Sequence, residues 1–171
     1  MRRAGWISFL LATTMMTSLP AQEPLRVGQG VGLGVSVGTL SATSGGSVLS
    51  LQGHLTHFPR RTIGADLAIG VLPAFLDDGE VAILADFGVA GVGRWKGATT
   101  LVRTGVGGIA AFGSGGAAAL PGAYMGGFLL LHGAGRVGVR LDVTGRLLVG
   151  GGAYLVPVIS VGIGLMRLPQ P

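Results

Sequence analysis

The sequence predicts an all-β protein, an eight-stranded antiparallel up-and-down transmembrane β-barrel with short loops that follows a cleaved signal peptide. Three observations favour this fold class. Apolar residues alternate with small or polar residues along most of the chain, which is the pattern of strands with two different faces. Seven turn-forming segments divide the chain into eight such runs. Only 11% of the 171 residues are charged and 49% are hydrophobic, which is too little polar surface for an ordinary soluble domain.

The first 22 residues have the parts of a secretory signal peptide. Two arginines form a basic start, residues 4–16 are largely apolar, and Ala21 is a small residue at which cleavage can occur. The apolar run is shorter than the roughly 20 residues that a membrane-spanning helix needs. We therefore expect an exported chain in which residues 1–22 are the signal peptide and residues 23–171 form one outer-membrane β-barrel domain.

Residues 27–40, VGQGVGLGVSVGTL, are expected to form the first strand. The odd-numbered positions carry mostly branched aliphatic residues. The even-numbered positions from 28 to 38 carry glycine, with one serine. A GxGxxG loop would require glycine at position 33, which is leucine, and the chain has no GxxxxGK[ST] motif. The segment therefore predicts an aliphatic outer face and a glycine-rich inner face, where arginine side chains from other strands find room.

The later runs repeat this alternation, most strictly at residues 62–75 and 136–147. A helix over 136–147 would mix arginine and aliphatic residues on one side, whereas a strand separates them. The run 122–132 is apolar on both faces, and residues 113–122 are expected to form the longest connection. The eight predicted strands comprise residues 27–40, 47–57, 62–75, 80–92, 98–112, 122–132, 136–147 and 153–167.

Closure of the strands into a barrel follows from the solvent. In lipid every backbone polar group needs a partner within the protein, so spanning strands have to close on themselves. With eight strands the interior is just wide enough to be filled by side chains. The inward positions collect charges that are expected to plug the lumen as ion pairs, with a narrow polar pore as the other possibility. This lumen charge cluster comprises Asp66, Asp86, Arg103, Arg136, Arg140, Asp142 and Arg146.

The signal peptide, the strand number, the alternation and the last strand together resemble the small exported bacterial outer-membrane β-barrels of the OmpA/OmpX type. The final strand of such proteins carries a polar residue, a glycine and spaced apolar residues, and Ser160, Gly162 and Leu165 are similar here. The family pattern ends in an aromatic residue, whereas this chain runs on to Pro171. The resemblance implies a porin-like barrel in a Gram-negative outer membrane, with the lipid bilayer and the outer-membrane assembly machinery as partners.

The residues predict a barrel of structural or interaction type rather than an enzyme. Some barrels of this kind are lipid A esterases or acyltransferases that use serine, histidine and an acid, so a lipid-modifying enzyme is the alternative. Its candidate residues here are Ser50 and His54 with Asp66 or Glu80. Ser50 and His54 lie four residues apart on one strand face, about 13 Å at about 3.3 Å per residue, and cannot bond directly. Polar packing in the lumen is therefore favoured.

No cofactor, metal, nucleotide or nucleic acid is expected to bind. The chain has no cysteine, which excludes disulfides, thiolate catalysis and Cys-ligated zinc. His54 and His57 fall on opposite faces of one strand and diverge, which disfavours a metal site. The small excess of basic residues forms no stripe with interleaved aromatic residues, so nucleic-acid binding is not indicated.

A helical membrane protein with glycine packing stripes is the second alternative. Residues 27–59 and 104–135 carry no formal charge, and glycines spaced by four residues fit helix contacts. Charges such as Asp66 and Asp86 interrupt other possible spans, and repeated glycine is costly in a helix. The sequence therefore favours strands.

Overall fold

The computed structural model of the protein describes residues 27–42, 46–73, 80–95, 98–132, 137–151 and 155–169. Eight antiparallel strands follow one another around a closed barrel, and the last strand pairs with the first. The predicted fold class is confirmed. The strands are β1 Gly30–Ala42, β2 Ser47–Phe58, β3 Ile63–Leu72, β4 Val81–Trp95, β5 Ala98–Gly113, β6 Gly116–His132, β7 Val137–Val149 and β8 Leu155–Arg167.

The predicted alternation appears as alternating burial along the strands. In β7, Val137, Val139 and Val143 are exposed, whereas Gly138, Arg140 and Asp142 between them are buried. Because the barrel is a single closed sheet, its buried face is the interior and its exposed face is the outer surface. The outer surface is aliphatic: Val35 is 62% exposed and Val106 is 64% exposed. In the described part of the chain no helix is long and apolar enough to cross a bilayer.

The helical alternative is wrong, because both glycine-rich, uncharged segments form strands. The first forms β1 and β2, and the second forms most of β5 and β6. The alternating small residues let neighbouring backbones approach closely within the sheet: Gly88 of β4 and Gly105 of β5 are directly paired, and a Cβ built on either would collide with the backbone opposite.

The β5–β6 connection differs from the prediction. Residues 113–122 do not form a long loop; Ser114 and Gly115 alone make a tight turn, and Gly116 has a positive φ of 117° that favours glycine. β6 therefore begins at Gly116 and pairs with β5 up to Gly113. Gly, Ala and Pro in this segment are typical of turns, yet the segment is a strand. β6 tolerates Pro121 because this residue lies just before the first residue of β6 that pairs with β7. Its missing N–H therefore removes no bond to β7.

The two ends of the barrel are distinguished by the chain termini. β1 begins and β8 ends at the same end, which we call the terminal end, and the β2–β3 turn lies there as well. The β5–β6 turn lies at the opposite end, which we call the far end. This assignment follows from the antiparallel order of the strands.

Two separate apolar clusters fill the interior near its two ends. The terminal plug consists of Val27, Phe58, Ala90, Leu101, Phe128, Leu130, Met166 and Leu168. The far plug consists of Leu40, Leu72, Ala82, Leu84, Leu148 and Val158. Every member of both plugs is buried.

The β1 glycines face the interior as predicted, but their neighbours are not arginines. A Cβ added at Gly32 would lie 3.2 Å from Leu168 Cδ2 and 3.3 Å from Met166 Cε, and one at Gly34 would lie 3.3 Å from Met166 Cγ. These two glycines lie near the start of β1, at the level of the terminal plug. The interior arginines belong to a different layer, so this part of the prediction is wrong.

Candidate functional site

Polar and charged side chains occupy the interior between the two plugs, and we call them the polar layer. The layer is the main chemical feature of the interior, because its members are buried in a barrel whose outer surface is aliphatic. Its members are Ser36, Ser50, Gln52, His54, Thr56, Asp66, Asp86, Arg103, Tyr124, Arg140, Asp142, Thr144, Arg146 and Ser160.

One ion pair crosses the lumen from β7 to β4. Arg146 donates from Nη2 to Asp86 Oδ2 over 2.6 Å and from Nε to Asp86 Oδ1 over 3.2 Å. Its third nitrogen, Nη1, donates to Ser160 Oγ at 2.8 Å. Both charged side chains are almost fully buried. The bidentate geometry fixes the guanidinium in one orientation and gives a strong charge-assisted contact.

Arg103 of β5 contacts side chains of several other strands. Its Nη1 donates to Asp66 Oδ2 of β3 at 3.3 Å, and its Nη2 donates to Thr144 Oγ1 of β7 at 2.8 Å. The second carboxylate oxygen of Asp66 accepts a 2.8 Å bond from Thr56 of β2. The guanidinium carbon also lies 5.6 Å from the centre of the Tyr124 ring. Arg103 therefore links strands that are not neighbours in the sheet.

The third ion pair is local. Arg140 Nε donates to Asp142 Oδ2 at 3.1 Å within β7, and the Arg140 guanidinium lies 4.1 Å from the centre of the Phe128 ring. Phe128 belongs to the terminal plug. A cation over an aromatic face is a favourable contact, so this pair joins the polar layer to the terminal plug.

Interior glycines beside the network leave room for its acids and hydroxyls. A Cβ added at Gly107 would collide with Asp86 Oδ1, and one at Gly126 would lie 2.6 Å from Thr144 Oγ1. The sequence analysis attributed interior glycine to the size of arginine. The nearest atoms at these two positions instead belong to the residues that accept hydrogen bonds from the arginines.

The structure places six members of the predicted lumen charge cluster on the buried face. They form three pairs of one arginine and one aspartate each: Arg103 with Asp66, Arg140 with Asp142 and Arg146 with Asp86. Arg136, the seventh predicted member, lies outside the described residues. The predicted signal peptide, residues 1–22, also lies outside them.

The three predicted assembly-signal residues lie together on β8 but on different faces. Ser160 belongs to the polar layer, and a Cβ added at Gly162 would lie 3.2 Å from Asp142 Oδ1. Leu165 is on the outer surface and is 52% exposed. Recognition of this strand by assembly machinery stays a prediction.

The candidate catalytic residues do not come together. His54 Nε2 lies 3.0 Å from Ser36 Oγ on the neighbouring strand, rather than next to Ser50. Ser50 donates to the backbone carbonyl of Gly38 and accepts from Gln52. In the alternating sequence pattern, Ser36 and His54 both fall on inward-facing positions of their strands. Only the β1–β2 register brings the two side chains into contact. Glu80 is exposed next to the start of β4 at the far end.

The contacts of His54 favour one tautomer. Arg103 Nη1 lies 3.5 Å from His54 Nδ1, and a guanidinium can only donate. This contact favours the tautomer in which Nδ1 accepts and Nε2 carries the proton and donates to Ser36 Oγ. A serine nucleophile needs the reverse arrangement, in which Nε2 accepts the serine proton and a carboxylate holds the Nδ1–H.

The described residues offer no metal centre: nowhere in these ranges do three or more His, Cys, Asp or Glu side chains come together as ligands. Among the residues that the structure describes, few charged groups lie on the outside. Arg60 and Arg61 of the β2–β3 turn and Arg167 of β8 are exposed near the terminal end, and Glu80 is exposed near the far end. His57 is also exposed, on the face opposite to His54.

The fold has counterparts among solved structures. The N-terminal β-barrel domain of Pseudomonas aeruginosa OprF superposes with a TM-score of 0.55 at 14% identity, covering 81% of this chain and 98% of that domain. The chain has the fold of the small eight-stranded outer-membrane β-barrels. Neisserial surface protein A gives a TM-score of 0.54 at 8% identity, with coverage of 81% of this chain and 95% of that one.

A third counterpart of this barrel fold is the outer-membrane protein AlkL, studied in DMPC lipid bilayers. It gives a TM-score of 0.53 at 13% identity and covers 90% of this chain and 96% of its own. No protein-family model and no curated protein matches the chain. The resemblance seen in the sequence is confirmed as a likeness of fold.

Proposed function

We propose that this protein is an integral β-barrel of the bacterial outer membrane with a closed lumen and a structural or interaction role. The observation that carries the proposal is the layered interior, in which neutralised ion pairs lie between two apolar plugs. The lipid-facing role of the outer surface is supported by its exposed aliphatic residues and by the fold shared with outer-membrane barrels.

The closed lumen rests on the plugs. Phe58, Leu101 and Met166 of the terminal plug and Leu84 of the far plug have no measurable exposure. Apolar constrictions oppose ion passage because water withdraws from them, and here there is one at each end. Binding to partners then takes place on the outer surface or at the rims, not in the lumen.

Conductance tests the closed lumen. Purified barrel is reconstituted in planar bilayers, after the same preparation has shown a boiling-dependent shift in gel mobility that proves folding. We expect no discrete current steps. Reproducible steps from the folded protein would overturn the closed lumen and favour the narrow pore.

Cell fractionation tests the location. We expect the protein in the outer-membrane fraction, with β-type circular dichroism after extraction and a faster band in unboiled samples. Recovery as a soluble protein without detergent would contradict the location.

We propose a non-enzymatic role because the Ser36–His54 contact has the tautomer opposite to that of a serine nucleophile. Substitution of His54 by alanine in the producing cell tests this role. Membrane lipid composition is expected to stay unchanged relative to wild type. A change in lipid acylation that depends on His54 would instead favour the lipid-modifying alternative.

We propose that β8 is the strand recognised by the assembly machinery. Leu165 lies on its outer face and has no part in the polar layer. Leu165→Ala is expected to lower the yield of folded barrel in cells while leaving refolding of purified chain into vesicles unchanged. An equal loss in both settings would indicate a stability effect instead.

A further inference from the structure

The outer surface has a notch over β2 at Gly53. Gly53 is exposed and pairs with Val35 of β1 on one side and Ile69 of β3 on the other. Leu51 and Leu55 precede and follow it on the same face of β2. Because glycine has no side chain, the four aliphatic residues surround a depression in the aliphatic outer surface.

Two adjoining grooves of about 580 and 500 Å³ meet at this notch. Both are lined by Val35, Gly53, Ile69 and Leu165. The first extends towards the terminal end, where Arg167 lines it, and the second extends towards Val37 in the direction of the far end. Together they form one apolar channel on the outside of β3, β2, β1 and β8, which we call the outer groove.

Arg167 gives the outer groove a cationic end. It is exposed on β8 and pairs with Leu33 of β1 and Val137 of β7, two exposed aliphatic residues. The acids of the described ranges lie elsewhere: Asp66, Asp86 and Asp142 are buried in ion pairs, and Glu80 is at the far end. Arg167 therefore has no acidic partner in the described part of the chain.

The groove extends over most of the depth of one lipid leaflet. Leu33, which is level with Arg167, and Val37 lie four residues apart on β1, which is about 13 Å at about 3.3 Å per residue. Half of a hydrocarbon core of about 30 Å is about 15 Å. Strands of membrane barrels tilt by about 35–45° from the membrane normal, so the groove covers about 10 Å of depth. An amphiphile with its anionic headgroup at Arg167 would thus place its acyl chain along the notch towards the bilayer centre.

We infer that the outer groove is a binding site for one anionic glycerophospholipid, with the phosphate at Arg167 and one acyl chain over Gly53. This inference rests on the proposed membrane location. The positive charge of Arg167 favours an anionic headgroup. Among the described residues, Arg167 is the one charged side chain that lines the groove. Because Gly53 has no side chain, it leaves space for the acyl chain at this position.

Native mass spectrometry of the barrel released from mixed micelles tests the site. The probes are dioleoylphosphatidylglycerol and dioleoylphosphatidylcholine at equal concentration. Wild type is expected to retain one phosphatidylglycerol about fivefold more often than phosphatidylcholine, the preference expected of one arginine at an anionic headgroup. Arg167→Gln is expected to abolish the preference. Arg60→Gln, which removes the same charge from the β2–β3 turn, is the matched control and is expected to keep it.

A second pair of variants tests the notch. Gly53→Leu is expected to lower retention of both lipids at least threefold, while Gly145→Leu leaves retention unchanged. Both glycines face outward, and a Cβ on either would meet only a backbone oxygen at 3.8 Å, so both variants are expected to fold. Gly145 lies on β7, three strands from β2 around the barrel.

The outcomes separate the site from the proposed function. Equal retention of the two lipids by a folded wild type, or an unchanged preference in Arg167→Gln, would overturn the lipid site and leave the membrane barrel intact. Failure of wild type to show the folded gel mobility in micelles and vesicles would overturn the membrane barrel itself.

Discussion

The ion pair of Asp86 and Arg146 gives the sharpest test of the interior. Both side chains are buried, and their bidentate contact spans the lumen. Removing one partner of a buried pair leaves the other charge without compensation and typically costs about 3–5 kcal/mol. We therefore expect Asp86→Asn and Arg146→Met each to lower the free energy of unfolding by that amount. With a urea dependence of about 2 kcal/mol per molar, the midpoint falls by about 2 M.

The double variant decides whether the two charges act as a pair. If they were independent, the costs would add to about 6–10 kcal/mol. Because Asp86→Asn/Arg146→Met leaves neither charge buried alone, we expect a total cost of no more than about 4 kcal/mol and a coupling energy above about 2 kcal/mol.

The assay is urea unfolding in lipid vesicles, followed by the fraction of folded band in unboiled gels. The matched control is the local pair Arg140–Asp142, which makes a single bond within one strand and is expected to show a smaller coupling. Additive costs for Asp86→Asn and Arg146→Met, within about 0.5 kcal/mol, would refute the reasoning.

Three further predictions concern single positions. Gly107→Ala places a Cβ against a carboxylate oxygen of the lumen-crossing pair, so urea unfolding is expected to show a loss of about 1–3 kcal/mol. Gly145→Ala, whose Cβ would meet only a backbone oxygen at 3.8 Å, is expected to be neutral, and equal losses would contradict the steric argument. Phe58→Ala empties part of the terminal plug and is expected to lower the free energy of unfolding by about 3–5 kcal/mol. Phe87 is 61% exposed on the outer surface, so Phe87→Ala is expected to cost less because lipid fills the space. A larger loss of stability at Phe87 would argue against the plug. Nitrogen-15 NMR is expected to show His54 with a protonated Nε2 and an unprotonated Nδ1, and the opposite tautomer would overturn the assignment.

The faces of the strands were predictable because apolar residues alternate with small or polar residues in the sequence with a period of two. In β7 the alternation of valine and leucine with arginine, aspartate and threonine separates the outer from the inner side chains, and the structure has the same separation. The strand number followed from the turn segments that divide this pattern, and the closure followed from the lack of hydrogen-bond partners in lipid. The β5–β6 turn was not predictable from composition, because Gly, Ala and Pro are as compatible with an extended strand edge as with a loop.

The contacts inside the barrel could not be predicted, because they depend on how the strands are offset around it. Asp86 and Arg146 are 60 residues apart in the chain, and nothing local indicates that they meet. Ser36 and His54 illustrate the same limit between neighbouring strands. The sequence showed that both face inward, but their contact depends on the β1–β2 register.

The polar layer also distinguishes the correct strand alignment from wrong ones. Valine and leucine recur along the outer face of several strands, so a slip of two residues between neighbouring strands would leave the lipid-facing surface almost unchanged. The same slip would separate Arg103 from Asp66 and Arg146 from Asp86, which lie on different strands, and would bury each of these charges alone. That cost is far above that of any outer contact. The interior charges are therefore a check on alignment during closure, and the outer surface is free to vary as long as it remains aliphatic.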